Sequence, residues 1–328
     1  MANPSSSESA TSTDGGIFLP SSLWIDQDDA GERIEAKLGT GEITPEQAEG
    51  LRHFIDHGYL IFRLDLDPAD LEQVTTDAVA CWRDKPADLA YAYDGPARRM
   101  THADEARERH SRYRIHDLHS HSQAARGLYL NRQIFDWINL LLGEEAVAIQ
   151  SLFFEYGSQQ LLHRDPVVVP VASHGHMIAA WIALEDISPD CGPLTYIPGS
   201  HRLPYFETAP GDYRFDAQRM GPELVERGMA WEADQRRRHG LEPQAFTPKQ
   251  GEVLLWHASL AHGGSEVRDE TLTRQSFVVH YSTRSTYDVR SIGIAEPVAG
   301  EDQWQVLETH ELIEHQGCRG FQNPMLGS

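Results

Sequence analysis

The sequence predicts a mainly β fold braced by helices, and three observations carry that expectation. From Ala146 onward, short runs rich in β-branched and aromatic residues, "AVAIQSLFFEYG", "HMIAAWIALEDI", "PLTYIPGSH", "GEVLLWHASLAHGG" and "RQSFVVHYS", are punctuated by Gly, Pro, Asp and Ser. Runs broken in this way read as an antiparallel sandwich or barrel. Ahead of Ala146 the signals are helical, with capping residues in front of apolar stretches. The chain of 328 residues is 40% hydrophobic and 24% charged, ordinary for a soluble globular protein and long enough for one large domain or two smaller ones.

The N-terminal "MANPSSSESATSTDGG" has neither a basic nor an apolar segment, so residues 1–16 are expected to be a disordered tail, not a secretion signal. In "TPEQAEGLRHFIDHGYLIF", Thr44 stands at an N-cap, Pro45 at the first helical position and Gln47 at the capping-box position. Gly58 should stop that helix, and "YLIF" reads as a strand. Asp67 and Pro68 repeat the device at the head of "DPADLEQVTTDAVACWRD". "RQIFDWINLLLG" reads as a third helix, ended by Gly143. "RIHDLHSHS" has no β pattern, so His116, His119 and His121 are expected to be solvated in a loop. A polar, arginine-bearing stretch between Tyr205 and Lys249 is expected to be an insertion, part of it helical.

The charge balance excludes several partners. A formal net charge of -22 makes phosphate neutralisation repulsive, so no nucleic acid and no anionic membrane surface is expected. The longest apolar run, Met177 to Leu184, is too short to span a bilayer. Cys81, Cys191 and Cys318 are far apart and form no CxxC pair, which argues against disulfides and a thiolate zinc site. A cytoplasmic location is the expectation.

Polar residues inside the β-rich half need an explanation. In "LLHRDP", His163 and Asp165 are two apart, so an extended strand would project both to one face. Such a pair on an inward face is costly unless it is bonded, either to itself or to a divalent metal with one more ligand. "WHASLAHGG" follows the apolar "EVLLW" and offers His257 and His262 beside a glycine turn. Two histidines and a carboxylate are the facial set that holds non-haem iron(II) with open positions. In "RQSFVVHYS", Arg274, Ser276, Val278 and His280 share one strand face, with Gln275, Phe277, Val279 and Tyr281 on the other. A guanidinium fork beside a hydroxyl matches a carboxylate. His174 and His176, in "HGH", are expected in a loop, as substrate contacts at most.

These motifs, in this order, resemble the iron(II)/2-oxoglutarate-dependent oxygenases, and within them the phytanoyl-CoA dioxygenase family. The resemblance runs from about Thr44 to Ser282 and takes in "HGYLIFRLDLDPADLEQ", "HRD", "AAWIALEDISPDCGPLTYIPGSHR" and "GEVLLWHASLAHGGS". It implies a double-stranded β-helix core of the jelly-roll, cupin-like kind. It implies iron(II) held by His163, Asp165 and His262, with 2-oxoglutarate and O2 as cosubstrates. Arg274 would pair with the distal carboxylate of 2-oxoglutarate, Ser276 would add a hydrogen bond, and Trp181 would line the pocket beside the small Ala179 and Ala183. Gln150 is a further pocket candidate. His257 is expected to be structural, and Arg268, in a turn, is the lesser rival of Arg274.

The implied activity is hydroxylation of an unactivated C–H bond of a small molecule, with release of succinate and CO2. Asp165 favours hydroxylation over halogenation, since related halogenases lack this carboxylate; desaturation and ring closure stay open. The expected organisation is a tail over 1–16 and one oxygenase domain over 17–328. That domain has a helix-rich part (17–145), a β-helix core (146–290) carrying the 205–249 insertion as a lid, and an extension (291–328). Asp94–Asp117 is a second candidate lid. Arg112 and Arg114 within it are candidate substrate contacts for an anionic molecule, a lipid or a secondary metabolite. Two alternatives stand beside this reading: a cupin-like metalloenzyme that uses no 2-oxoglutarate, and a non-catalytic binding protein on the same scaffold.

Overall fold

Capping chemistry sets the helices that brace the protein. The computed structural model describes residues 11–13, 15–19, 21–86, 89–93, 99–101, 113–167, 175–213, 221–284, 286, 295–297, 304–306 and 311–322. Helix α1 (Ala30–Gly39) precedes α2 (Pro45–His57), whose Thr44 and Gln47 form the expected reciprocal capping box. Gly58 ends α2 in the left-handed region at φ 78. A side chain there would be strained by that backbone, and its Cβ would stand 2.5 Å from His201 Nδ1. Asp67 caps α3 (Pro68–Asp84), and Ser122 caps α4 (Gln123–Tyr129). Asn131 caps α5 (Arg132–Leu142), which stops at Gly143, and α6 (Pro222–Arg238) lies within the 205–249 insertion.

The major sheet has ten strands. Its main path runs Tyr59–Arg63, Glu252–His257, Ile178–Ala183, Ser276–Thr283, Ala146–Phe154, Tyr113–His116, Ala90–Tyr93, Arg99–Thr101. The hairpin of Glu311–His315 and Cys318–Gln322 adds the rest through a parallel contact of Gly320 with Ala148. A three-stranded sheet, Gln244–Phe246, Leu194–Tyr196, His262–Gly264, packs over one face. Together they make an open jelly roll, not a closed barrel.

The strand period of two divides the core. Phe153, Ile178, Ala180, Ile182, Val253, Leu255, Phe277, Val279 and Tyr281 face the helices and pack on Leu51, Phe54, Val74, Ile134 and Ile138. Leu152, Phe154, Trp181, Leu254, Trp256 and Val278 face the small sheet and pack on Leu194, Tyr196 and Phe246. Each large side chain so buried contributes roughly 1.5–3 kcal/mol.

Four local expectations differ from the structure. The tail yields to structure before residue 16: Thr11–Thr13 pairs with Gly16–Phe18, which pairs with Tyr205–Phe206. The physical cause is Ile17, which is buried, and Gly16, which lies beneath Trp231. The "RIH" of "RIHDLHSHS" is strand, not loop, and His116 and His119 are buried. Arg274 lies just ahead of the Ser276–Thr283 strand, tied by its backbone N–H to Glu155 O at 2.8 Å. The insertion packs down through Trp231, whose ring centroid lies 5.8 Å from that of Phe206. Of the second candidate lid, Asp94–Asp117, residues 94–98 and 102–112 lie outside the described residues.

Candidate active site

Two chain segments supply the site, and backbone hydrogen bonds between them set its geometry. His163 and His262 form an antiparallel bridge in which each N–H donates to the other's carbonyl at 2.9 Å. The Asp165 N–H donates to Ala258 O at 3.0 Å. Gly263 permits the approach, because a Cβ there would lie 2.7 Å from Gln160 O. His163 and Asp165 do not share a strand, since Asp165 opens a 3-10 turn over Asp165–Val167. The turn still gathers them: His163 Nε2 is 4.0 Å and His262 Nε2 3.6 Å from Asp165 Oδ1. One ligand atom from each residue lies within 4.8 Å of the others, a spacing that could hold a metal ion.

The tautomers follow from the partners. His163 Nδ1 is 2.8 Å from Leu161 O, and His262 Nδ1 is 2.9 Å from Leu260 O. A carbonyl only accepts, so both Nδ1 atoms carry the proton and both Nε2 atoms present lone pairs. Burial pushes both imidazoles down to about 4, which keeps them neutral at neutral pH. Asp165 Oδ2 accepts from Trp256 Nε1 at 2.8 Å, so Oδ1 is the oxygen turned to the histidines. Two neutral imidazole nitrogens and one carboxylate oxygen are a donor set that suits iron(II).

The inner face of the major sheet continues the site. Arg114, Phe154, Ser276 and Ala183 lie in one row across four strands, and Gln150, His280, Ala179 and Trp256 in another. The Arg274 guanidinium is buried, with Nη1 3.5 Å from Ser276 Oγ and Nη2 donating to Tyr156 O at 3.2 Å. It lies 5.1 Å from the Phe154 centroid and 5.7 Å from that of Trp181. Trp181 Nε1 is buried with no hydrogen-bond partner among the described residues. Arg114 is buried 5.9 Å from the Phe154 centroid, and its Nε donates to His116 Nε2 at 3.3 Å. Gln150 Nε2 is 3.4 Å from His116 Nδ1.

The structure therefore brings His163, Asp165, His262, Arg274, Ser276, Trp181, Gln150 and Arg114 to one region. His176 does not join them: it is buried, not a solvated loop residue, and burial pushes its imidazole below the ordinary value. Arg112 and His174 lie outside the described residues. His257 is occupied elsewhere, with Nδ1 accepting from Ser259 N at 2.9 Å and Nε2 3.1 Å from Asp26 Oδ2. Arg268 is exposed and pairs with Asp190 at 3.7 Å.

Sequence reasoning missed Trp256, which steadies Asp165, and His280, whose Nδ1 is buried with no hydrogen-bond partner among the described residues. Each carried a signal. Trp256 alternates in phase with Leu254, and His280 in phase with Ser276.

The profile of the phytanoyl-CoA dioxygenase family matches residues 54–275. Phytanoyl-CoA dioxygenase domain-containing protein 1 of Mus musculus is 25% identical over 175 residues, 50% of this chain and 55% of that protein. The homologue of Caenorhabditis briggsae is 26% identical over 172 residues, 50% of this chain and 56% of that protein. The chain thus spans about half the length of the curated relatives it matches.

Solved structures share the fold, and two of them serve as examples. One is the epimerase SnoN in complex with Fe3+, alpha ketoglutarate and nogalamycin RO, with TM-score 0.57 and 17% identity over 85% of this chain and 99% of that one. The other is EctD from S. alaskensis with 2-oxoglutarate and 5-hydroxyectoine, with TM-score 0.53 and 22% identity over 74% of this chain and 77% of that one. At these identities the likeness is one of fold. With two thirds of its length matched by the family profile, this chain belongs to the phytanoyl-CoA dioxygenase family.

Proposed function

We propose that this chain is an iron(II)- and 2-oxoglutarate-dependent oxygenase that hydroxylates an unactivated C–H bond of a small molecule, releasing succinate and CO2. One observation carries the reading: two histidines locked in the Nε2-presenting tautomer converge with Asp165 Oδ1, next to the buried Arg274–Ser276 pair. His163, Asp165 and His262 are the proposed metal ligands. Arg274 and Ser276 receive the far carboxylate of 2-oxoglutarate, and Gln150 and Trp181 line its pocket. The buried, unmet Trp181 Nε1 supports a pocket built for an oxygen-rich acid.

Bound iron(II), with 2-oxoglutarate and O2, supplies the oxidation of a C–H bond coupled to decarboxylation of the cosubstrate. The chain supplies the rest. The Leu161 and Leu260 carbonyls aim the imidazoles, and Trp256 holds the carboxylate so that one oxygen is turned inward. Arg274, flanked by Phe154 and Trp181, offers a fixed fork in a water-poor wall, which orients an acid and strengthens the pairing. Arg114 gives the pocket a second cation, which supports an anionic group on one of the two organic ligands. Asp165 supports hydroxylation over halogenation because it fills the position a halide would need. The described elements support one domain from 17 to 328, with the 205–249 insertion as part of its wall.

The test is an anaerobic titration of the metal-free protein with iron(II) and 2-oxoglutarate, read by the weak visible charge-transfer band of the chelate. The expected band disappears in His163→Ala and, at limiting 2-oxoglutarate, in Arg274→Ala. Iron binding without the band would favour the cupin-like alternative. No metal binding at all would leave a binding protein.

A further inference from the structure

Between the two proposed ligands of "HRD" stands an arginine the mechanism does not use. His163 and Asp165 turn toward the shared position, whereas the Arg164 side chain is buried among residues 203–205 and 232. Its Nη1 donates to Leu203 O at 2.9 Å, and its Nη2 donates to Pro204 O at 2.7 Å and to Glu232 Oε1 at 2.5 Å. The guanidinium also lies 4.2 Å from the centroid of the Tyr205 ring. Tyr205 OH in turn donates to Ser259 Oγ at 2.7 Å. Ser259 belongs to the stretch that carries the Ala258 carbonyl, which receives Asp165 N–H, and the Leu260 carbonyl, which receives His262 Nδ1–H.

The two ligand-bearing segments are therefore joined twice. One join is the backbone bridge itself. The other runs from Arg164 through Tyr205 to Ser259, and it is anchored by Glu232 on α6. A buried guanidinium is costly unless its donors are met, so this anchor resists displacement. We infer that Arg164 is a positioning residue that couples α6 to the geometry of the metal ligands, so that its pairing with Glu232 sets how tightly the site holds its metal. The inference rests on the proposed metal site and extends it, since it makes the insertion a support of the ligands and not a free lid.

The test titrates the metal-free full chain with cobalt(II), read by its visible d–d bands, alongside thermal unfolding of the same metal-free samples. Arg164→Met should weaken cobalt binding about 10–100-fold, the usual size for a group that orients ligands from behind, and should shift the bands. Glu232→Gln, which removes only the distant charge, should weaken it by on the order of tenfold with little change in apo unfolding. Arg164→Lys should fall between wild type and Arg164→Met, because one ammonium cannot serve two carbonyls, a carboxylate and a ring at once. Arg237→Gln, on the same helix but paired with Asp234, should bind as wild type. If Arg164→Met does not fold, Glu232→Gln and Arg164→Lys decide. Unchanged cobalt affinity and spectrum in the folded variants would overturn the coupling while leaving the metal site standing. A wild-type protein that binds no cobalt would overturn the metal site, and the coupling with it.

Discussion

The two oxygens of Asp165 have different tasks, and a single residue separates them. Trp256 Nε1 donates to Oδ2, which leaves Oδ1 nearest the histidines. Trp256→Phe keeps most of the packing and removes that donor, so it should weaken iron(II) binding by roughly tenfold, measured by anaerobic titration, with the fold intact by circular dichroism. Arg274 is proposed to act on 2-oxoglutarate instead. Arg274→Leu removes a buried charged donor, worth about 1.5–3 kcal/mol, so 2-oxoglutarate should bind on the order of 10–100-fold more weakly while iron(II) affinity stays near wild type. CO2 release against 2-oxoglutarate concentration checks the first half, and metal titration the second. The proposed metal ligands and the Arg274–Ser276 pair could be singled out from motif spacing, and the structure brings them to one region. Trp256 and Arg164 were not, because their roles come from hydrogen bonds to residues far away in sequence, here 91 and 68 positions apart.

At the scale of elements, legibility follows how local the cause is. The ends of α2, α3 and α5 are set by caps within three residues, and Thr44, Asp67, Gly58 and Gly143 announced them. The Tyr113–His116 strand alternates over only four residues, Tyr113 and Ile115 against Arg114 and His116, and its polar face turns inward, where Arg114 and His116 bond to each other, so it could not be told from a solvated loop. The hairpin before residue 19 was hidden for a similar reason: it exists because Tyr205–Phe206, nearly 190 residues later, pairs with it. Gly263 shows what a local cause can do at a distance. Gly263→Ala would drive a Cβ against the Gln160 carbonyl, separating the bridge that aligns His163 with His262. Because the obstacle is backbone, which cannot swing aside, this change should cost more metal affinity than stability. Titration of the variant beside a melt of its metal-free form separates the two. Gly58→Ala should do the reverse. It strains a left-handed residue by on the order of 1 kcal/mol and crowds His201, so it should lower the melting temperature while sparing metal affinity.

Across the whole molecule, buried histidines make stability depend on pH in a direction that can be worked out. Burial holds His163 and His262 at about 4 and His119 and His201 at about 3, against about 6.5 in an unfolded chain. Between those values the folded protein keeps these rings neutral while the unfolded chain takes up a proton on each. Their contribution is fully present above pH 6.5 and is lost as pH falls toward 4. Asp117 opposes them: burial raises it to about 8, so its folded form keeps a proton that the unfolded chain releases above about 4. On balance unfolding therefore takes up protons below pH 6.5, so the folded state gains stability as pH rises toward that value. The metal-free protein should thus melt progressively higher from pH 4.5 to 6.5 and then turn over above about pH 7, where the histidine gain has ended and Asp117 still subtracts. His201→Gln, which leaves the proposed metal ligands untouched, should make that rise less steep. Metal at the proposed site would add a second pH dependence, because only neutral His163 and His262 could bind it. The stabilisation it confers should shrink as pH falls toward 4, and the same melts repeated with cobalt(II) measure it. A metal-free melting temperature that stayed flat from pH 4.5 to 6.5 would mean that these rings take up protons in the folded state, against the burial of His119 and His262.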